Sequence, residues 1–131
     1  MNEFLLTFLY YLAAIAVVIA GLIVFELMTR KYKDWDEIKS NNTAVALSIA
    51  GKIIGICIIL AFSILHNDTI LDTVIWGLFG AALQLLAYVL FEVLTPRFSV
   101  QSGLKDNNTA VGIISCAVSI GLAFVIGASI T

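Results

Sequence analysis

The sequence predicts an all-α integral membrane protein. It reads as one transmembrane domain over residues 1–131, with four transmembrane helices built from two parallel two-helix repeats, 1–65 and 67–131. Three observations carry this reading. The chain is 61% hydrophobic and only 12% charged, about half the charge of a soluble domain. The charges cluster, leaving four long apolar runs. The stretch Asn-Asn-Thr-Ala-Val occurs at both Asn41 and Asn107.

The first span is Phe4–Phe25, which carries no charge. Its length exceeds a signal-peptide core, and the Met-Asn-Glu before it has no positive charge, so an uncleaved helix is expected. The second, Thr43–Leu65, carries one charge, Lys52. The third, Thr73–Phe91, and the fourth, Asn107–Thr131, carry none. Each approaches or exceeds the roughly 20 residues that cross a bilayer as a helix. The loop after the first span holds Arg30, Lys31, Lys33 and Lys39, and the loop after the third holds Arg97 and Lys105. The other connections hold no lysine or arginine. By the positive-inside rule the two larger loops are cytoplasmic and both termini lie outside.

The same offset that carries Asn41 to Asn107 carries Phe25-Glu26 to Phe91-Glu92, Lys39 to Lys105 and Gly55 to Gly121. No gap is needed, as expected for duplication of a two-helix unit. A unit with an even number of spans re-enters the membrane in the same direction, so the halves are parallel repeats.

These paired Asn-x-Ala helix starts, each after a cytoplasmic loop in a two-plus-two-helix chain, resemble the bacterial membrane proteins of the domain of unknown function 350 (uncharacterised protein family 0719). The likeness spans essentially the whole chain. Threonine follows the asparagine here, where the family more often has an apolar residue. The resemblance implies a multi-pass protein of the bacterial inner membrane and implies no activity.

A helix entering the membrane has unpaired N–H groups at its first turn, each costly in hydrocarbon. Asn41, Asn42 and Thr43, and their counterparts Asn107, Asn108 and Thr109, are suited to cap them. An anion or lipid headgroup at these ends is the competing reading. Glu26 and Glu92 each fall in the last turn of an inward-running helix, where a carboxylate opposes the helix dipole. Either they accept hydrogen bonds from an Asn-Asn-Thr end or pair with Lys39 or Lys105, or they face water. In the first loop Tyr32, Trp35 and Ile38 recur every three residues, as in a segment lying along the interface.

Gly51 and Gly55, with Ala44 and Ser48, form a small-residue stripe on the second helix, and Ala117 and Gly121 hold the aligned places on the fourth. Gly77 and Ala81 form a weaker stripe on the third. Such stripes bring helices close, and a homo-oligomer is expected. Cys57 and Cys116 lie at depths too different for a disulfide.

Counted from the cytoplasmic ends, Lys52 and Gln84 reach similar depth, and Ser48 and Tyr88 lie one turn nearer the cytoplasm, with Glu92 beyond. A polar stripe of Gln84, Tyr88 and Glu92 is expected to face Ser48 and Lys52. Lys52 aligns with Val118, Gln84 with Val18 and Tyr88 with Leu22, so this stripe is not part of the duplication. An intramembrane charge marks a functional site or a snorkelling side chain. Two functions compete: a structural or scaffolding membrane subunit, in which Lys52 and Gln84 lock helices together, and a small homo-oligomeric transporter or channel, in which Lys52 binds an anion or relays protons. No enzyme is expected, because no nucleophile or phosphate loop is visible. His66, Asp68 and Asp72 read as solvated loop residues rather than a metal site. No cofactor, metal or nucleic acid is expected; the partners are the bilayer, further copies of the chain, and possible other membrane or cytoplasmic proteins.

Overall fold

The computed structural model describes residues 2–28, 39–93 and 104–130. The aromatic segment around Tyr32, Trp35 and Ile38 lies outside them, as does the Glu92 side chain. The described residues form four long helices: α1 (Glu3–Met28), α2 (Thr43–His66), α3 (Ile70–Val93) and α4 (Thr109–Ser129). All four are long and apolar enough to cross a membrane. No strand occurs among the described residues.

The helices are not equivalent. In the most apolar window of α2, 50% of residues are buried, against 11% in α1. α2 is therefore the centre of the bundle and α1 its periphery, presenting Phe8, Tyr11, Ile19 and Leu27 outward. In hydrocarbon this is no defect, since lipid tails solvate apolar side chains as well as a protein core does.

The small residues decide which helices meet closely. A Cβ on Gly51 would lie 2.7 Å from the Cys116 Cα, and one on Gly112 would lie 2.7 Å from the Ala44 Cα. Both contacts set a glycine against the backbone of the facing helix, so α2 and α4 pack closely along this seam. Ser48 and Ser115 close the same seam with an Oγ–Oγ hydrogen bond of 3.2 Å. Elsewhere the packing is larger: Gly77 of α3 receives Leu60 of α2, and Val17, Phe25, Ile56, Leu60 and Tyr88 form one apolar cluster among α1, α2 and α3.

The α2–α3 turn is held by hydroxyls and an amide. Ser63 Oγ donates to the Thr73 carbonyl (2.9 Å) and Asn67 Nδ2 to the Ser63 carbonyl (2.8 Å). The Asp72 N–H donates to Thr69 Oγ1 (3.1 Å), which caps α3. Asn67 and Thr69 thereby satisfy terminal backbone atoms of α2 and α3 that lack a partner in their own helix. Cys57 and Cys116 are free thiols, as their differing depths require.

Candidate functional site

Two features of the sequence carry polar chemistry into this apolar bundle: the Asn-Asn-Thr helix starts and the residues around Lys52.

At both starts the first asparagine has a left-handed backbone, with φ of 63° at Asn41 and 58° at Asn107. Asparagine is among the few residues other than glycine that adopt this region readily. The second asparagine is the cap in each case. Asn42 Oδ1 accepts from the Val45 N–H at 3.0 Å, and Asn108 Oδ1 accepts from the Val111 N–H at 3.4 Å. Thr43 and Thr109 are the first helical residues and are exposed. The division of labour within the motif is thus narrower than its composition suggests: one asparagine turns the chain and the next caps the helix.

The starts also dock on each other. Asn42 Nδ2 donates to the carbonyls of Leu104 (2.8 Å) and Lys105 (3.0 Å). The Ala44 N–H, in the first turn of α2, donates to Asn107 Oδ1 at 3.0 Å. Asn42 is 5% exposed in consequence. Glu26 is half-buried, and the donors of Asn42 go to these carbonyls rather than to it. Lys39 and Lys105 are exposed.

Deeper in, the structure brings Ser48, Lys52, Gln84 and Tyr88 inside, each less than a tenth exposed. Lys52 is 1% exposed. Its Nζ lies 4.9 Å from the centroid of the Phe25 ring and 4.8 Å from that of Tyr88. The two rings meet edge to face at 6.0 Å. Both ring faces attract a cation, a contact worth roughly 2 kcal/mol where water is excluded. The ammonium thus sits where α1, α2 and α3 converge.

Gln84 is not the partner of Lys52 that equal depth suggests. Its Nε2 donates to the Ser119 carbonyl of α4 at 3.2 Å. Its Oε1 is buried and takes no hydrogen bond among the described residues. Gln84 reaches α4 across Gly55, where any Cβ would collide with the Gln84 amide. Ser48 likewise bonds Ser115 rather than α3. The expected stripe therefore divides: Lys52 and Tyr88 face α1, while Ser48 and Gln84 tie α2 and α3 to α4.

Sequence reasoning missed Phe25, Ser115 and Ser119. Phe25 carries no polar signal, and a serine in an apolar helix is too common to single out. Ser115 and Ser119 follow Gly112 by three and seven residues, on one helix face, and that spacing was the available clue. Among the described residues no group of three or more His, Cys, Asp or Glu is placed to hold a metal.

Comparison with known proteins agrees with this architecture. The family model described as Domain of Unknown Function (DUF350) matches residues 1–130. The chain is 41% identical over 129 residues to the UPF0719 transmembrane protein YshE of Bacillus subtilis, covering 98% of this chain and 96% of that one. It is 31% identical over 103 residues to the UPF0719 inner membrane protein YjfL of Escherichia coli K12, covering 79% and 76%. No solved structure matches. Four membrane-length helices, paired asparagine starts and a match along nearly the whole chain lead to one conclusion: this is a multi-pass membrane protein of the DUF350 family, whose molecular function is not known.

Proposed function

We propose that the chain is a structural, non-catalytic subunit of the bacterial inner membrane, built by duplication of a two-helix unit, with both termini outside and the two larger loops in the cytoplasm. One observation carries the structural reading: Lys52 at 1% and Gln84 at 2% exposure are sealed within a single chain. A lysine that binds or relays a solute needs a path to water. A lysine held between two aromatic rings at the junction of three helices fixes their mutual rotation. Gln84 does the same for α3 and α4. Burying such groups is costly, and one function of that cost is to make a single packing of otherwise interchangeable apolar helices preferable.

The orientation rests on the six basic residues of the two larger loops. The duplication rests on the matched offsets and on the like backbone of Asn41 and Asn107. The test is ion and proton flux in proteoliposomes, for wild type beside Lys52→Met. The structural reading expects flux at the level of empty vesicles for both, with lower thermal stability for the variant. Wild-type flux that Lys52→Met abolishes while stability is retained would replace it with the transporter reading.

A further inference from the structure

The two halves are joined in a way that uses each of them only once. The α2 start donates: Asn42 Nδ2 to the Leu104 and Lys105 carbonyls, and the Ala44 N–H to Asn107 Oδ1. The α4 start accepts. A two-fold arrangement would repeat these bonds with the roles exchanged, from Asn108 to the carbonyls of Ile38, which lies outside the described residues, and Lys39, and from Ala110 to Asn41. It does not do so. Among the described residues, Asn108 Nδ2 and the Ala110 N–H make no hydrogen bond. Asn108, Ala110, Lys39 and Asn41 are all exposed.

The helix faces tell the same story. Gly55 is closed off by Gln84 and by the Ser119 carbonyl, whereas a Cβ on the aligned Gly121 meets nothing within 4 Å. Ala117, aligned with the tightly packed Gly51, is exposed. On the accepting side, Ala44 fills the space beside Asn107 and Gly112. The aligned space beside Asn41, Asn42, Thr43 and Ala46 is an open pocket of about 250 Å³.

The geometry points to a second copy of this chain as the occupant: its α4 start docks by Asn108 and Ala110 into the Asn41–Ala46 pocket, and its Ala117–Gly121 face lies along the neighbouring α2. The same residue types already dock inside one chain, Asn against Asn and small face against small face. The Asn108 Nδ2 and Ala110 N–H donors at the α4 start make no bond among the described residues, and the space at the α2 start is open. Ala46 stands where the second repeat has Gly112, so the contact between copies is wider by a methyl group. Such an interface joins unlike surfaces head to tail, and forms a ring where the rotation between copies closes. With two repeats per chain, the smallest ring is a dimer. This assembly goes beyond the structural reading above and stands or falls independently of flux.

Two measurements test it. In a background of Cys57→Ser and Cys116→Ala, copies carrying Ala110→Cys and copies carrying Ala46→Cys, differently tagged and co-expressed, should form a disulfide between unlike copies as the dominant crosslink. Crosslinks only between like copies, or none, would overturn the proposal. In lipid nanodiscs the wild type should have the mass of two or more chains. Gly121→Leu should reduce it to one chain that keeps the wild-type helix content by circular dichroism, because the space at Gly121 is open within the chain. A wild type of single-chain mass, with lipid alone covering the face, overturns the proposal. So does an assembly that Gly121→Leu leaves intact.

Discussion

The residues Asn41–Val45 and Asn107–Val111 are identical in sequence and nearly identical in local structure, yet they live in different surroundings. Both turn through a left-handed asparagine and both cap a helix with the next one. But Asn42 is buried and spends its amide on two carbonyls of the other half, whereas Asn108 is exposed. A short motif fixes what its own chain does over one helical turn. What the motif touches is decided by where the rest of the molecule places it. The same contrast separates Gly51 and Gly55, enclosed against α4, from Ala117 and Gly121, which face outward.

The comparison is broken most severely at the two asparagines. Asn42→Leu should cost about 3 kcal/mol, roughly 1 for the cap and about 1 for each carbonyl left without its donor. In the dissociated single chain Asn108→Leu should cost only about 1 kcal/mol, since within one chain the cap is all it loses. Unfolding in detergent measures both. Equal losses would mean that the docking bonds contribute nothing and that the two starts differ only in burial.

A change of sign is expected at the glycines. Gly51→Ala places a methyl 2.7 Å from the Cys116 backbone, which cannot rotate aside. The seam must open, at about 1–3 kcal/mol. Gly121→Ala meets open space and gains about 0.5–1 kcal/mol from the lower backbone entropy of alanine in a helix. The same unfolding measurement decides this. Destabilisation at Gly121 as large as at Gly51 would place a close neighbour at a position the structure leaves open within the chain.

The smallest effect concerns Lys52. A double-mutant cycle between Lys52→Met and Tyr88→Leu should show coupling of about 1 kcal/mol, because the ammonium lies over that ring. The cycle between Lys52→Met and Gln84→Leu should be additive within about 0.5 kcal/mol, because Gln84 bonds Ser119 instead. Coupling to Gln84 with none to Tyr88 would restore the pairing that depth alone suggests.

Much of this was legible in the residues. Four spans follow from four apolar runs, since an uninterrupted run has one low-energy state in a bilayer. The helix starts follow from Asn and Thr, whose side chains reach only the first turn. The burial of Lys52, Gln84, Tyr88 and Ser48 followed from their matching depths along two helices. Tyr88 facing Lys52 followed too, but the partners Phe25, Ser115 and Ser119 did not. Lys52 rests between rings of α1 and α3, and Gln84 crosses Gly55 to reach α4.

The reason is geometric. Sequence gives the position of a residue along a helix axis, because each residue adds a fixed rise of about 1.5 Å. It also gives the residue's angle relative to others on the same helix. It does not give the rotation of one helix against another, which apolar side chains in lipid leave almost free. That rotation is set where backbones approach most closely, at Gly51 against Cys116 and Ala44 against Gly112, and only the packed bundle brings those pairs together. The sequence by itself determined the spans, their caps and the depth of each polar group. The tertiary structure decided which polar group meets which, and which of two identical helix starts is buried.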